Sequence, residues 1–438
     1  MPCEHCPHCQ ELERLEQERL AEEQRQREAI AALLAQQGDN DFPLPVANPA
    51  GPNEPIPDLN EHQKKIALSI CNNWKEQKLH YIQGNAQTGK TYLLNAICIL
   101  MRNLLLKVEV ISPSIFPQQS KPLKKIYGQS DQSVEDVDIF IIDNAQQIPQ
   151  NSMKDFENKL KRTMESDEAF GGKTIIMAAD FGQMLPSPAD FQHKLKASLK
   201  HLTENHVAPF KKHVLPTGED NWSQYLDMVR RSPKVAVPAE NIVKSVEELL
   251  DFAYGDVDKG VKLQNSVIVA PRNADVDLIN QKMFNKIRRK VNIFEAQAIG
   301  NVIRSDEERH KLRLKIGSIL ILEDSFEGSP KGTRVLFEDF TAHHLNCRDL
   351  ATNRILDIER VKRFLAPNEN TPRKNAKEEQ RHVKQFPVSL GFATTVHGAQ
   401  GRTYDKIGMY HMNDTFEHGQ LYTAISRAKG MECWKVLL

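Results

Sequence analysis

No run of apolar residues in this 438-residue chain approaches the roughly 18 that a membrane-crossing helix needs, so no membrane partner is expected. Seven cysteines in so long a chain do not make a disulfide framework, and no secretory signal opens it, which together point to a reducing compartment. Net charge is also missing: 58 Lys and Arg offset 58 Asp and Glu, a balance that by itself speaks against a polyanionic partner. The balance hides an asymmetry. Residues 1–60 hold twelve acidic residues against four Arg, so the remaining 378 carry 54 basic against 46 acidic, an excess of +8 that suits a phosphate backbone.

What is present suffices for two or three domains, since the length exceeds one usual hydrophobic core. Cys3, His5, Cys6, His8 and Cys9 offer soft metal ligands, but no second pair follows at zinc-finger spacing, and no bound zinc is expected. Residues 11–37 predict a solvated helix with pairs such as Glu23 and Arg27, while Leu12, Leu15 and Leu20 hold no heptad. Six prolines within 38–58 mark a linker. From Leu59 onward short β-rich runs alternate with helical stretches, the pattern of parallel α/β layers. One set of strands is expected at 79–83, 107–111, 137–142 and 173–177, and a second at 266–270, 387–393, 406–410 and 434–438. The runs 318–322 and 333–337, followed by a charged stretch with no clear core, read as an inserted small β-domain with a mobile loop. The expected organisation is a first α/β domain over 59–235, a second over 236–300 and 387–438, and the insertion over 301–386.

The most informative stretch is Gly84-Asn85-Ala86-Gln87-Thr88-Gly89-Lys90-Thr91, a full match to G-x-x-x-x-G-K-[ST] between a β-prone run and a helix of apolar periodicity. In that setting the loop amides and the positive end of the helix dipole face a triphosphate. Lys90 then reaches its outer phosphates, and the Thr91 hydroxyl ligates Mg²⁺. Downstream, the apolar strand Ile141-Ile142 ends in Asp143, whose carboxylate would hold the same Mg²⁺; such an Asp can also cap a helix, and the loop upstream favours the metal. The next residue is Asn144, where nucleotide-hydrolysing proteins usually place a Glu that activates water. An amide orients water but cannot take its proton, and losing a general base costs about 10²–10⁴ in rate. Gln146 and Gln147 are candidates for positioning water instead.

Three more stretches complete the pattern. Gly171 to Pro186 ends a strand in Asp180-Phe181-Gly182-Gln183-Met184-Leu185-Pro186, Thr395-Val396-His397-Gly398-Ala399-Gln400-Gly401 follows much later, and Tyr422-Thr423-Ala424-Ile425-Ser426-Arg427 comes near the end. With Leu59-Asn60-Glu61-His62-Gln63 these resemble the petite-integration-frequency (Pif) family of superfamily 1 DNA helicases, particularly the helicase part of Helitron transposon proteins, over about residues 59–438. Ala197 to Lys200 and Ala270 to Asn280 match Helitron-type connecting sequence. The resemblance implies a P-loop NTPase fold, two tandem RecA-like parallel-sheet domains with a small β-barrel inserted in the second. It implies that Gln63 reads the adenine edge of ATP, that Gln183 senses the γ-phosphate, and that Thr395, His397 and Gln400 touch DNA while Gly401 lies by the nucleotide. Arg427 would stabilise charge on the transferring phosphoryl group. Single-stranded DNA or DNA junctions are the implied partner, the protein acting as a monomer in the nucleus, with roles in repair, recombination and telomere maintenance; the acid-rich N-terminus argues against a mitochondrial address.

Departures from the family pattern matter as much. Motif V usually reads His-Lys-Ser-Gln-Gly, whereas here Gly398 and Ala399 remove a cation and a hydroxyl. Gln87 stands where a Gly is usual, Ala179 where Gly precedes the Asp, and Pro216 to Asp220 lacks the second arginine expected there. The segment between Ile111 and Val137 is short and lacks the Thr and His expected to grip single-stranded DNA. Two readings follow: a helicase moving 5′-to-3′ on ATP hydrolysis, or a nucleotide-gated DNA-binding protein with little turnover.

Overall fold

The computed structural model describes residues 55–112, 134–148, 150–184, 210–232, 235–255, 265–299, 311–329, 331–364, 382–412 and 419–438. The Cys3 to Cys9 cluster, the helix expected over 11–37, most of the linker over 38–58, Leu185, Pro186 and Ala197 to Lys200 lie outside the described residues, as does residues 365–381 of the expected insertion. The chain divides into two compact units, residues 1–227 and 228–438.

The first unit contains α1 (Glu61–Cys71), β1 (Leu79–Gln83), α2 (Lys90–Asn103), β2 (Val108–Ile111), β3 (Ile139–Ile142), α3 (Gln150–Thr163), β4 (Thr174–Ala179), β5 (Lys211–Val214) and α4 (Asn221–Arg231), within which the division falls. Its five strands are all parallel, in the order β2-β3-β4-β1-β5. The central strands read as unbroken apolar runs because both faces of the sheet are covered. On one face Ile82, Ile139, Ile141 and Ile176 pack with Ile70 of α1 and Leu93 and Ile97 of α2; on the other, Tyr81, Phe140, Ile142 and Met177 pack with Phe156 and Leu160 of α3. Successive residues along each strand thus serve opposite cores. β5 has no apolar run to announce it, since among the described residues Lys211-Lys212-His213-Val214 pairs only with β1, at the sheet edge, and of these four buries His213 alone.

The second unit contains α5 (Val246–Tyr254), β6 (Ser266–Ala270), α6 (Asn273–Lys286), β7 (Asn292–Phe294), β8 (Gln297–Ile299), β9 (Leu312–Leu314), β10 (Ile319–Leu322), β11 (Arg334–Phe340), β12 (His344–Asp349), β13 (Ile355–Glu359), β14 (Val361–Phe364), β15 (His382–Gln385), β16 (Val388–Leu390), β17 (Ala393–Thr395), α7 (Val396–Ala399), β18 (Lys406–Tyr410), α8 (Gln420–Ile425) and β19 (Trp434–Leu437). A four-stranded parallel sheet, β17-β6-β18-β19, is covered by Leu249 and Leu250 of α5 and Ile279 and Met283 of α6. The chain is thus a tandem of two RecA-like parallel α/β units.

Antiparallel strands occupy the middle of the second unit: a sheet β13-β12-β11-β10-β16, a sheet β14-β15-β8 and the pair β7-β9. Among the described residues β13 and β16 are not paired with each other, so these five strands are a sheet with two edges. Two sequence readings need correction here. The charged stretch has a core after all: β12 and β13 alternate, burying Leu345, Cys347, Leu356 and Ile358 while their charged neighbours face away, a period-two signal that high charge content masks. The run 387–393 is not one strand. It breaks at Gly391, giving β16 to the antiparallel sheet and β17 to the parallel one; a Cβ at Gly391 would lie 2.9 Å from the Leu320 carbonyl carbon, too close for any other residue.

Candidate functional site

The loop 84–91 joins the C-terminal end of β1 to the N-terminus of α2, the geometry in which backbone N–H groups and the helix dipole favour an anion. Gly89 caps α2 at φ 80°, and a Cβ there would sit 2.4 Å from Gln63 Nε2. Gln63 reaches this place through the start of α1: it accepts from the Asn60 N–H at 3.2 Å while Asn60 accepts from the Gln63 N–H at 2.9 Å, a reciprocal capping box. The residue expected to read adenine is therefore also a helix cap. Lys90 is 9% exposed and donates from Nζ to the carbonyls of Gly84 at 3.0 Å and Asn85 at 2.6 Å. Thr88 Oγ1 donates to Asn85 O at 2.9 Å, and Ala86 is buried.

Two loop side chains are tied to α4. Asn85 Nδ2 donates to Thr217 Oγ1 at 2.9 Å and to Asp227 Oδ1 at 2.8 Å, and Gln87 Oε1 accepts from Trp222 Nε1 at 2.8 Å. Sequence reasoning missed Thr217, Trp222 and Asp227, because no spacing signals a contact between segments more than 130 residues apart. The stretch without the expected second arginine has a structural role instead: Asp220 accepts from the Ser223 N–H at 2.9 Å and its hydroxyl at 2.6 Å, capping α4.

Asp143 follows β3 and is 2% exposed. Thr91 Oγ1 donates to its Oδ2 at 2.8 Å, and the Asn144 N–H donates to its Oδ1 at 2.9 Å. Burial pushes the Asp143 carboxyl above its ordinary range, against the pull of the Thr91 hydroxyl, the Lys90 charge and the Asn144 N–H. A buried carboxylate beside a hydroxyl is a donor set of hard oxygens suited to a small divalent cation, whose charge would hold the carboxylate ionised. Asn144 adopts φ 53°, a left-handed conformation that Asn tolerates better than most residues. Its Oδ1 accepts from Gln146 Nε2 at 3.3 Å, and Gln146 Oε1 accepts from the Asp180 N–H at 3.3 Å. Asp180 in turn accepts from Gln183 Nε2 at 3.3 Å and from the Gly182 N–H at 3.0 Å. Lys90, Thr91, Asp143 and Gln183 are thus gathered at the C-terminal ends of β1, β3 and β4, where parallel sheets place their ligands.

The remaining candidates lie in the second unit. Thr395 caps α7, its Oγ1 accepting from the Gly398 N–H at 3.1 Å; His397 is exposed, Gln400 is 8% exposed, and Gly401 takes φ 78°. Arg427 is 7% exposed, donating to Thr423 O at 3.0 Å, Arg402 O at 3.3 Å and Ser426 Oγ at 2.8 Å.

No family model matches the chain. Over 314 residues it is 29% identical to the ATP-dependent DNA helicase Pif1 of Bdellovibrio bacteriovorus, which covers 66% of this chain and 64% of that protein. Over 392 residues it is 22% identical to the protein of the same name from Campylobacter jejuni, covering 83% of each. Its fold is similar to that of Bacteroides Pif1 bound to ssDNA, with a TM-score of 0.63 at 19% identity over 86% of this chain and 92% of that one. The chain is similar in sequence to Pif1 helicases and shares their fold. It spans less than two thirds of the Bdellovibrio relative, at 64% of that family member's length.

Proposed function

We propose that the chain is an ATP-dependent DNA helicase that binds ATP with Mg²⁺ at residues 84–91 and Asp143 and moves 5′-to-3′ along single-stranded DNA. The observation that carries this reading is the unbroken hydrogen-bonded path from Thr91 through Asp143, Asn144, Gln146 and Asp180 to Gln183, which would link the proposed cation ligands to the residue that would sense a γ-phosphate. The relatives' names, ATP-dependent DNA helicase, support the substrates. Mg²⁺, when bound, would neutralise charge on the β- and γ-phosphates. Lys90 would exchange the Gly84 and Asn85 carbonyls for phosphate oxygens, a shift within reach of its present position. Gln63 would meet the adenine with the amide nitrogen that lies beside Gly89. Thr395, His397 and Gln400 would contact DNA, and Arg427 the transferring phosphoryl group. The reading extends to action as a monomer in the nucleus, and to a Helitron-type origin with partly degenerate motifs. Single-stranded-DNA-stimulated ATP hydrolysis by the purified chain tests it: stimulated turnover abolished by Lys90→Ala is expected, and nucleotide binding without any stimulation would sink it.

Asn144 favours a second reading, a nucleotide-gated DNA-binding protein with little turnover. Its carbonyl oxygen faces the Gln146 amide, and no carboxylate stands at that position to take a proton from water.

A further inference from the structure

Gln87 occupies the tip of the phosphate loop at φ 64°, a conformation that costs an L-residue about 1–2 kcal/mol and that glycine adopts without strain. The φ and ψ of residue 87 set the direction of the Thr88 N–H, one of the loop amides proposed to meet the phosphates, so relaxation of Gln87 toward negative φ would turn that amide. Its exposed side chain is held from outside: the Trp222 indole N–H donates to Gln87 Oε1 at 2.8 Å. The indole is itself fixed, stacked on Tyr225 at 6.3 Å and 19°, with Tyr225 only 5% exposed, on a helix capped by Asp220. On the other side of the loop Asn85 is tied to Asp227 of the same helix.

We infer that Trp222 is a positioning residue for the nucleotide, clasping Gln87 in the left-handed conformation that the phosphate loop requires. The clasp compensates for the missing glycine, and α4 acts as the bracket on which the loop is mounted. This inference rests on the proposed nucleotide site and deepens it. The partner it serves is the phosphate chain of a nucleoside di- or triphosphate.

Calorimetric titration of the full chain with MgADP tests the clasp by a double-mutant cycle. Trp222→Phe keeps the stacked ring and removes the N–H, and is expected to raise Kd about five-fold, the weight of one ordinary hydrogen bond. In a Gln87→Gly background, where residue 87 needs no clasp, the same change is expected to raise Kd less than about two-fold. Gln87→Leu, which removes the acceptor at an exposed position without touching α4, is expected to raise Kd about as much as Trp222→Phe. An equal loss in both backgrounds would assign Trp222 to folding alone and overturn the clasp, as would an unchanged Kd for Trp222→Phe and Gln87→Leu. If the wild-type chain binds no MgADP, the nucleotide site fails and the clasp with it; if it binds and Lys90→Ala does not, while the cycle shows no coupling, the clasp fails alone.

Discussion

The Thr91 hydroxyl donates a 2.8 Å hydrogen bond to the Asp143 carboxylate, joining the first turn of α2 to the end of β3 across 52 residues of sequence. Burial raises the Asp143 pKa, so the folded state favours the protonated form and its ionisation opposes folding once pH rises past the ordinary carboxylate range. Asp143→Asn removes that cost along with the proposed cation ligand. Its melting temperature should match or exceed wild type, while Mg²⁺-dependent nucleotide affinity falls at least about ten-fold. A drop of several degrees in Tm would show that the charge is structural.

Asn144→Glu restores a general base and should raise single-stranded-DNA-stimulated kcat by about ten-fold or more, short of the full range because Glu tolerates φ 53° less well than Asn. An unchanged kcat in a well-folded variant would mean that hydrolysis is not limited by proton removal.

His80 and His213 meet between β1 and β5 with Nδ1 and Nε2 3.1 Å apart, and His80 is 0% exposed. Burial, the neighbouring ring and Lys211 depress the His80 pKa to about 4, and burial with Lys211 depresses that of His213 to about 4. Both folded values lie below the unfolded value of about 6.5, so the unfolded chain takes up protons first. The stability present at neutral pH is therefore lost as pH falls from about 6.5 toward 4. Denaturation midpoints measured across this window should fall with acid, and His213→Phe should flatten that slope; an unaltered slope would remove the pair as its cause.

Gly391→Ala would set a methyl group 2.9 Å from the Leu320 carbonyl carbon and 3.0 Å from the Ile321 nitrogen, both backbone atoms that cannot swing aside. A loss of about 1–3 kcal/mol is expected from urea denaturation followed through the second unit. A neutral effect would mean that β10 yields to the added group.

Gly398→Lys returns the cation usual in motif V, but its Cβ would lie 2.4 Å from Thr394 Oγ1. The substitution should therefore work better with Thr394→Ala than alone. In that double variant, single-stranded DNA affinity should rise at low salt, and the log–log salt slope should steepen by about 0.7, one phosphate contact. A steeper slope is the decisive reading, since a fold effect would change affinity without changing salt dependence.

Much of the proposed nucleotide site could be read from residue order because its chemistry is local. A loop of eight consecutive residues needs one strand before it and one helix after it, and Gly84 to Thr91 carries both signals in its flanks. Asp143 could be named because it directly follows a buried apolar strand, and Gln183 because the segment after β4 resembles a family motif. The antiparallel strands β12 and β13 were hidden, since a one-sided sheet in a charged sequence shows only alternate apolar residues. The break at Gly391 was hidden too, because the demand for glycine comes from the Leu320 backbone some 70 residues earlier.

The sequence by itself determined the α/β class and the phosphate loop, because periodicity and motif spacing are short-range properties, and its resemblance to a family named the further residues that the chemistry would need. Only the tertiary structure decided what holds those residues in place. Gln87 departs from the motif pattern but is bonded to Trp222, and Asp220, in the segment that lacks the expected arginine, caps the helix that carries Trp222. Such compensations are made between side chains distant in sequence, where packing in three dimensions and not the order of residues sets the partner.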